Sequence, residues 1–346
     1  MGSAVAKAGE ARAPKTGDVI LKVRDLVKHF PVRMGIGQSL RAKETPVLRA
    51  VDGVSLDVKK GEVFGIVGES GCGKTTLARM ILRLIEPTSG SVNLEGVDIL
   101  KLGSVEMKQI RRKMQVIFQD PYESMNPRMD VQTIISEPLR LQGIAKSTRD
   151  AQETVMSTLV DVEMTPPEEY MGRYPHELSG GQRQRIAVAR ALALNPDFIV
   201  ADEPVSMLDV SIRGEVLNLM LDLSRKKGVT FVYITHDLAT ARHICDRVAV
   251  MYLGKVVEMG MVDEVIRNPL HPYTTALIGA VFVPDPRYKG FGEVLQGEVP
   301  NPINPPSGCR LHPRCPYTMD ICKEKEPALI AHGEGHVVAC HRAEMK

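Results

Sequence analysis

Gly68-Glu69-Ser70-Gly71-Cys72-Gly73-Lys74-Thr75-Thr76 fits G-x-x-x-x-G-K-[ST], a spacing suited to holding a phosphate chain. Glycines allow the backbone to curl so that successive N–H groups converge on phosphoryl oxygens. Gly68, Ser70, Gly71, Cys72, Gly73 and Thr76 are therefore candidate contacts. The Lys74 ammonium is expected to bridge β- and γ-oxygens, and the Thr75 hydroxyl to reach Mg²⁺. Phe198-Ile199-Val200-Ala201-Asp202-Glu203 is an apolar run ending in two carboxylates. Asp202 is expected to hold Mg²⁺ through water, and Glu203 to act as the general base on an attacking water. Leu178-Ser179-Gly180-Gly181-Gln182 offers a hydroxyl and unobstructed N–H groups at a helix start, a second place for an anion.

These residues need rigid elements behind them. The runs Val63–Val67, Phe198–Ala201 and Phe231–Thr235 are apolar on successive residues, as strands buried on both faces of a parallel sheet are. Thr75–Ile85, Gln182–Leu194 and Val210–Lys227 have helical periodicity and fall between them. This predicts an α/β sheet with helices on both faces. The phosphate loop then joins a strand to a helix, and the two carboxylates stand at the carboxyl edge of a strand, where ligands bind in open α/β sheets. Val19–Phe30 and Val47–Val58 alternate more loosely and predict a smaller antiparallel layer. From about Val131 to Tyr174 no strand run is visible, which predicts a mostly helical insert.

The chain has 346 residues, with 44 Lys and Arg against 42 Asp and Glu, no Trp, and 4% aromatic residues. Neither a basic excess nor stacking aromatics are present, so a nucleic-acid partner is not expected. No apolar run is long enough to span a membrane. Residues 1–17 lack the apolar stretch of a signal peptide and read as a disordered arm of a cytosolic chain. Eleven of the 23 prolines and four of the six cysteines follow residue 267. That composition shift predicts a compact domain over 18–267, with a helical part at about 121–181, and a Pro- and Cys-rich appendage over 268–346.

With these motifs in this order, residues 18–260 resemble the ATP-binding cassette (ABC) ATPases, whose signature is LSGGQ. The resemblance implies an α/β P-loop NTPase fold with a parallel-sheet core, an antiparallel β subdomain, a helical subdomain and, here, a C-terminal extension. It makes Gln119 the Q-loop glutamine, contacting Mg²⁺ and the attacking water, and His236 the switch histidine that senses the γ-phosphate. Asp209 falls in the D-loop Ser206-Met207-Leu208-Asp209, with Met207 where Ala is commoner. Phe30 sits where the family places a ring against adenine. In such cassettes Ser179, Gly180, Gly181 and Gln182 complete the site of a facing subunit, so a second cassette, identical or paralogous, is implied.

Asp120–Arg128 and Asn268-Pro269-Leu270-His271-Pro272-Tyr273-Thr274 are similar to segments of the oligopeptide/dipeptide importer ATPases, a subfamily that includes some nickel importers. That implies two separate transmembrane permease subunits, an extracytoplasmic binding protein acting through them, and a peripheral place on the cytoplasmic face of the bacterial inner membrane. The competing class is a soluble ABC ATPase acting on nucleic acid or the ribosome. Such proteins usually carry paired cassettes or long coiled coils, and neither occurs here.

Cys309, Cys315, Cys322 and Cys340 are separated by five, six and seventeen residues. Four thiolates suffice for a closed zinc site or an iron–sulfur cluster, and they can also be free structural thiols. Zinc sites favour shorter gaps, and Cys-Pro, as in Cys315-Pro316, ends some cluster-binding runs. His312, His336 and His341 are alternative zinc ligands. The resemblance to the peptide-importer ATPases implies a [4Fe-4S] cluster on the four cysteines. Cys72 occupies a variable position of the phosphate loop as a small residue that fits, with partial thiolate character possible beside the N–H dipoles. Cys245 is expected in the core.

Overall fold

The computed structural model describes residues 17–32, 46–280, 295–333 and 335–345, so nearly all of the arm expected at 1–17 lies outside the described residues. In chain order the strands are β1 (Val19–Pro31), β2 (Val47–Lys59), β3 (Val63–Val67), β4 (Ser89–Leu94), β5 (Val97–Asp98), β6 (Met114–Ile117), β7 (Phe198–Asp202), β8 (Thr230–Thr235), β9 (Arg247–Tyr252), β10 (Lys255–Met261), β11 (Ile330–Ala331) and β12 (Val337–Val338). They form two sheets. A four-stranded antiparallel sheet runs β2-β1-β4-β5, and an eight-stranded sheet runs β11-β12-β10-β9-β3-β8-β7-β6. The pairs from β9 through β3, β8 and β7 to β6 are parallel.

Strand period explains how one short segment serves two cores. In β3, Val63 and Val67 pack among the helices, while Phe64 and Ile66 face the antiparallel sheet. In β8, Phe231 and Tyr233 take the first side, and Val232 and Ile234 the second. All eight are essentially inaccessible. Burying a large apolar side chain contributes about 1.5–3 kcal/mol, so the central strands are the rigid floor of the site. The looser alternation of β1 and β2 has a cause in the ladder: their pairing shifts register repeatedly between Val19 and His29, and each bulge resets which side chain points inward.

The helical insert lies between β6 and β7 as Val131–Leu141, Thr148–Asp161 and Glu168–Met171. Asp130 accepts from the Thr133 N–H at 2.7 Å and Ser147 from that of Asp150 at 3.1 Å, N-caps worth about 1 kcal/mol each.

The Pro- and Cys-rich C-terminal residues are joined to the main sheet. β12 pairs with β10, and β11 with β12, so the extension lengthens the main sheet. Its anchor is Glu258 in β10, which is fully buried. That carboxylate accepts from the backbone N–H of Leu270 (2.8 Å) and His271 (3.0 Å), and pairs with His336 Nε2 at 2.8 Å. His271 Nδ1 in turn accepts from the Tyr273 N–H, capping the helix Pro272–Gly279. Burial lowers the His271 pKa to about 4, which keeps that nitrogen an acceptor at neutral pH.

Candidate nucleotide site

The phosphate loop connects β3 to the helix Lys74–Ile81. It has room only for glycine at its two ends. A Cβ on Gly68 would lie 2.3 Å from the Met251 carbonyl oxygen, and Gly73 holds φ +108° against the Ala50 carbonyl. Lys74 is folded over the loop, its Nζ donating to the carbonyls of Gly68 (2.7 Å) and Glu69 (2.9 Å). An arriving phosphate would offer better acceptors to the same ammonium.

A cavity of about 660 Å³ opens beside this loop. Its walls include Ser70, Gly71, Gly73, Lys74, Thr75 and Thr76 of the loop, together with Phe30, Gln119, Glu203 and His236. Thr75 Oγ1 lies 3.3 Å from Asp202 Oδ1. Desolvation, with the neighbouring Glu203 charge adding to it, raises the Asp202 pKa. Glu203 is only 17% exposed at its side chain and is held from both sides. Gln119 Nε2 is 3.3 Å from its Oε2, and His236 Nδ1 is 3.1 Å from its Oε1. Thus residues 84 and 33 positions away in sequence meet at one carboxylate, because β6, β7 and β8 are neighbours in the sheet.

Not every expected contact is brought into the cavity. Cys72 is buried beneath the loop, and its Sγ lies 3.8 Å from Lys74 Nζ. Burial raises its thiol pKa despite the nearby ammonium, which disfavours the thiolate. Cys245 is fully buried, as expected. Ser179, Gly180, Gly181, Gln182 and Asp209 are absent from the walls formed by the described residues. Ser179 and Gln182 instead complete a reciprocal capping box on the helix Gly180–Leu192. Gly181 packs against Ile212, which ties the signature segment to the helix Val210–Lys227.

Sequence reasoning missed five wall residues: Leu48, Ala50, Glu69, Leu277 and Pro302. Leu48 is the cross-strand partner of Phe30, so correct register would have found it. Leu277 and Pro302 come from the extension, and no local signal marks them. The same holds for Tyr273, whose Oη accepts the Glu69 N–H at 2.9 Å and props the phosphate loop from behind.

Cys309, Cys315, Cys322 and Cys340 line one small cavity of about 20 Å³. Yet no group of three or more His, Cys, Asp or Glu among the described residues is arranged to hold a metal ion. Burial pushes the Cys309 thiol up to about 11 and raises those of Cys315 and Cys340. The donor set is thus four thiols that line a common cavity without the close spacing of ligands on one ion. His336 is committed to Glu258, whereas His312 and His341 line the same cavity, each with one ring nitrogen on a backbone carbonyl, of Cys309 and Lys325 respectively.

Fold and site together define a phosphate-loop ATPase cassette. Residues 51–206 match the ABC transporter family, and residues 257–322 match the oligopeptide/dipeptide transporter C-terminal region. The chain is 50% identical to a probable peptide ABC transporter ATP-binding protein of Sinorhizobium fredii, covering 94% of this chain and 90% of that one. It is 48% identical to the oligopeptide transport ATP-binding protein AppF of Bacillus subtilis, covering 94% and 97% respectively. The solved dimeric cassette MJ0796 in a post-hydrolysis state bound to ADP and Pi matches at a TM-score of 0.60 and 30% identity, over 70% of this chain and 98% of that one. The chain belongs to the ATP-binding proteins of ABC transporters, in the branch that carries the oligopeptide/dipeptide C-terminal region.

Proposed function

We propose that this chain is the ATP-hydrolysing subunit of a binding-protein-dependent peptide importer. The observation that carries the reading is the pair Gln119 and His236 bracketing Glu203 at the mouth of the phosphate-loop cavity, with the Ser179 segment outside it. Lys74 and the loop N–H groups hold the phosphates, and Glu203 takes a proton from the attacking water. Thr75 and Asp202 are the residues that would hold Mg²⁺, which when bound neutralises charge on the β- and γ-oxygens. Ser179, Gly180, Gly181, Gln182 and Asp209 then act on the nucleotide of a second cassette. No helix among the described residues is long and apolar enough to cross a membrane; in this reading the spans are those of separate permease subunits.

A groove of about 160 Å³ suits a permease segment. Its walls include Phe118, Ser124, Pro138 and Arg190, and Phe118 immediately precedes Gln119. Phe118 stands exposed there. A partner helix seated on that groove would feel any shift of Gln119 against Glu203, and this chain would then sit on the cytoplasmic face of the membrane. The reading is tested in vesicles holding the cognate permeases and binding protein. Peptide uptake is expected with this chain and absent with Lys74→Ala; uptake that survives Lys74→Ala overturns it.

The four tail cysteines are the residues that would hold a [4Fe-4S] cluster, whose contribution is to pin the extension through four covalent attachments. This reading rests on the resemblance of the tail to those of the peptide-importer ATPases; among the described residues the four thiols line one cavity without meeting as a ligand group. Protein purified without oxygen is expected to contain about four iron and four sulfide per chain and to absorb visible light. Zinc alone, or no metal, refutes it.

A further inference from the structure

The apolar end of the nucleotide cavity has a wall that the cassette itself does not supply. We infer that Leu277 and Pro302, both from the C-terminal extension, form the second face of the base subsite opposite Phe30; this rests on the nucleotide reading above. The described walls include the apolar side chains of Phe30, Leu48, Leu277 and Pro302 together with the polar loop Glu69–Thr76 and Ala50, whose carbonyl abuts Gly73 of that loop. A ligand that meets both kinds of wall has a charged head and a flat apolar body, as a nucleotide has. Phe30 and Leu48 are directly paired in the β1–β2 ladder and belong to one wall.

The opposite residues are held there by specific bonds. The Arg49 N–H, next to Leu48 on β2, donates to the Pro302 carbonyl at 3.1 Å. A turn closed by the Ile303 N–H on Asn301 Oδ1 (2.9 Å) sets Pro302 over that strand. Leu277 rides on the helix Pro272–Gly279, whose start is fixed by His271 and whose buried Tyr273 contacts the phosphate loop through the Glu69 N–H. Both residues are half-buried and lie on the cavity, so part of their apolar surface is available to a ligand. One helix of the extension thus touches the phosphate loop through Tyr273 and lines the cavity through Leu277, and the turn at Pro302 adds a second contact.

The test compares ATP with inorganic tripolyphosphate, which carries the charge without the base, on the full-length protein by calorimetry. Leu277→Ala is expected to weaken ATP about tenfold, the loss of a few buried methylene contacts, and to leave tripolyphosphate unchanged. Leu277→Met, which keeps the volume, is expected to retain ATP affinity. Equal weakening of both ligands by Leu277→Ala, or no change in either, overturns the inference while the nucleotide reading stands. A wild-type protein that binds neither ligand overturns both.

Discussion

Glu203→Gln is expected to lower the rate of ATP hydrolysis by about 10²–10⁴-fold while leaving nucleotide affinity close to that of the wild type. General-base catalysis contributes within that range, and the amide cannot take up the proton of the attacking water. Shape is retained. Gln119 and His236 both reach the Glu203 carboxylate within 3.3 Å, and a glutamine can still accept one of those contacts. The second consequence concerns assembly. If the Ser179 segment closes on the nucleotide of a facing cassette, a variant that binds without hydrolysing accumulates in the closed pair. Analytical ultracentrifugation with magnesium and ATP should therefore show more dimer for Glu203→Gln than for the wild type. Hydrolysis within a few-fold of wild type would remove Glu203 from the role of base. A variant that stays monomeric at saturating nucleotide would remove the paired site.

How much of this arrangement is visible in the sequence depends on the range of the forces involved. The phosphate loop, the Asp202–Glu203 edge and the capped start at Ser179 are short-range patterns. Strand period and helix capping are set within a few residues, so their places in the fold follow directly. The helix Val210–Lys227 is legible to its ends because Gly228, at φ +70°, stops it. Periodicity carries the helix after the phosphate loop on to Ile85, but it ends at Ile81, since Arg83 adopts φ +49° and turns the chain. β4 and β6 are hidden for a different reason. Ser-Gly-Ser-Val-Asn-Leu and Met-Gln-Val-Ile are brief and mixed in polarity, and each is a strand only because a neighbouring strand is already in place.

Long-range contacts are illegible for the same reason. Composition marks everything beyond residue 267 as foreign to the cassette, because prolines and cysteines signal a change of chemistry. What binds that segment is one buried carboxylate, Glu258, which serves Leu270, His271 and His336 together. A glutamate in a strand is ordinarily on the solvent side, so nothing in its own neighbourhood announces an anchor. Arg310 extends the same logic: it is buried and bonds both the Leu253 carbonyl and Asp52 of β2. The extension is therefore wired into β10 and into β2, and β2 also lines the nucleotide cavity. Partner-dependent geometry of this kind cannot be read from local spacing.

Gly73→Ala is expected to abolish tight nucleotide binding and to lower the melting temperature by several degrees, whereas Gly71→Ala should cost only a degree or a few. Both glycines have positive φ, +108° and +79°, so both substitutions carry a backbone penalty of about 1–2 kcal/mol. They differ in what the new methyl meets. At Gly71 nothing lies within 4 Å. At Gly73 the Cβ would fall 2.1 Å from the Ala50 carbonyl oxygen and 3.5 Å from Val51 Cγ2. Neither neighbour can move cheaply, because Ala50 and Val51 lie in β2 and Val51 is fully buried. The loop must shift instead, and it carries Lys74 and Thr75 with it. Since phosphate binding depends on N–H groups aimed at one point, a displacement of about an ångström costs roughly 10² in function. Calorimetric titration with ATP and a thermal melt on the same samples separate the two effects. A Gly73→Ala protein that binds ATP like the wild type would mean that the loop is free to relax, and that the close approach to β2 does not shape the site.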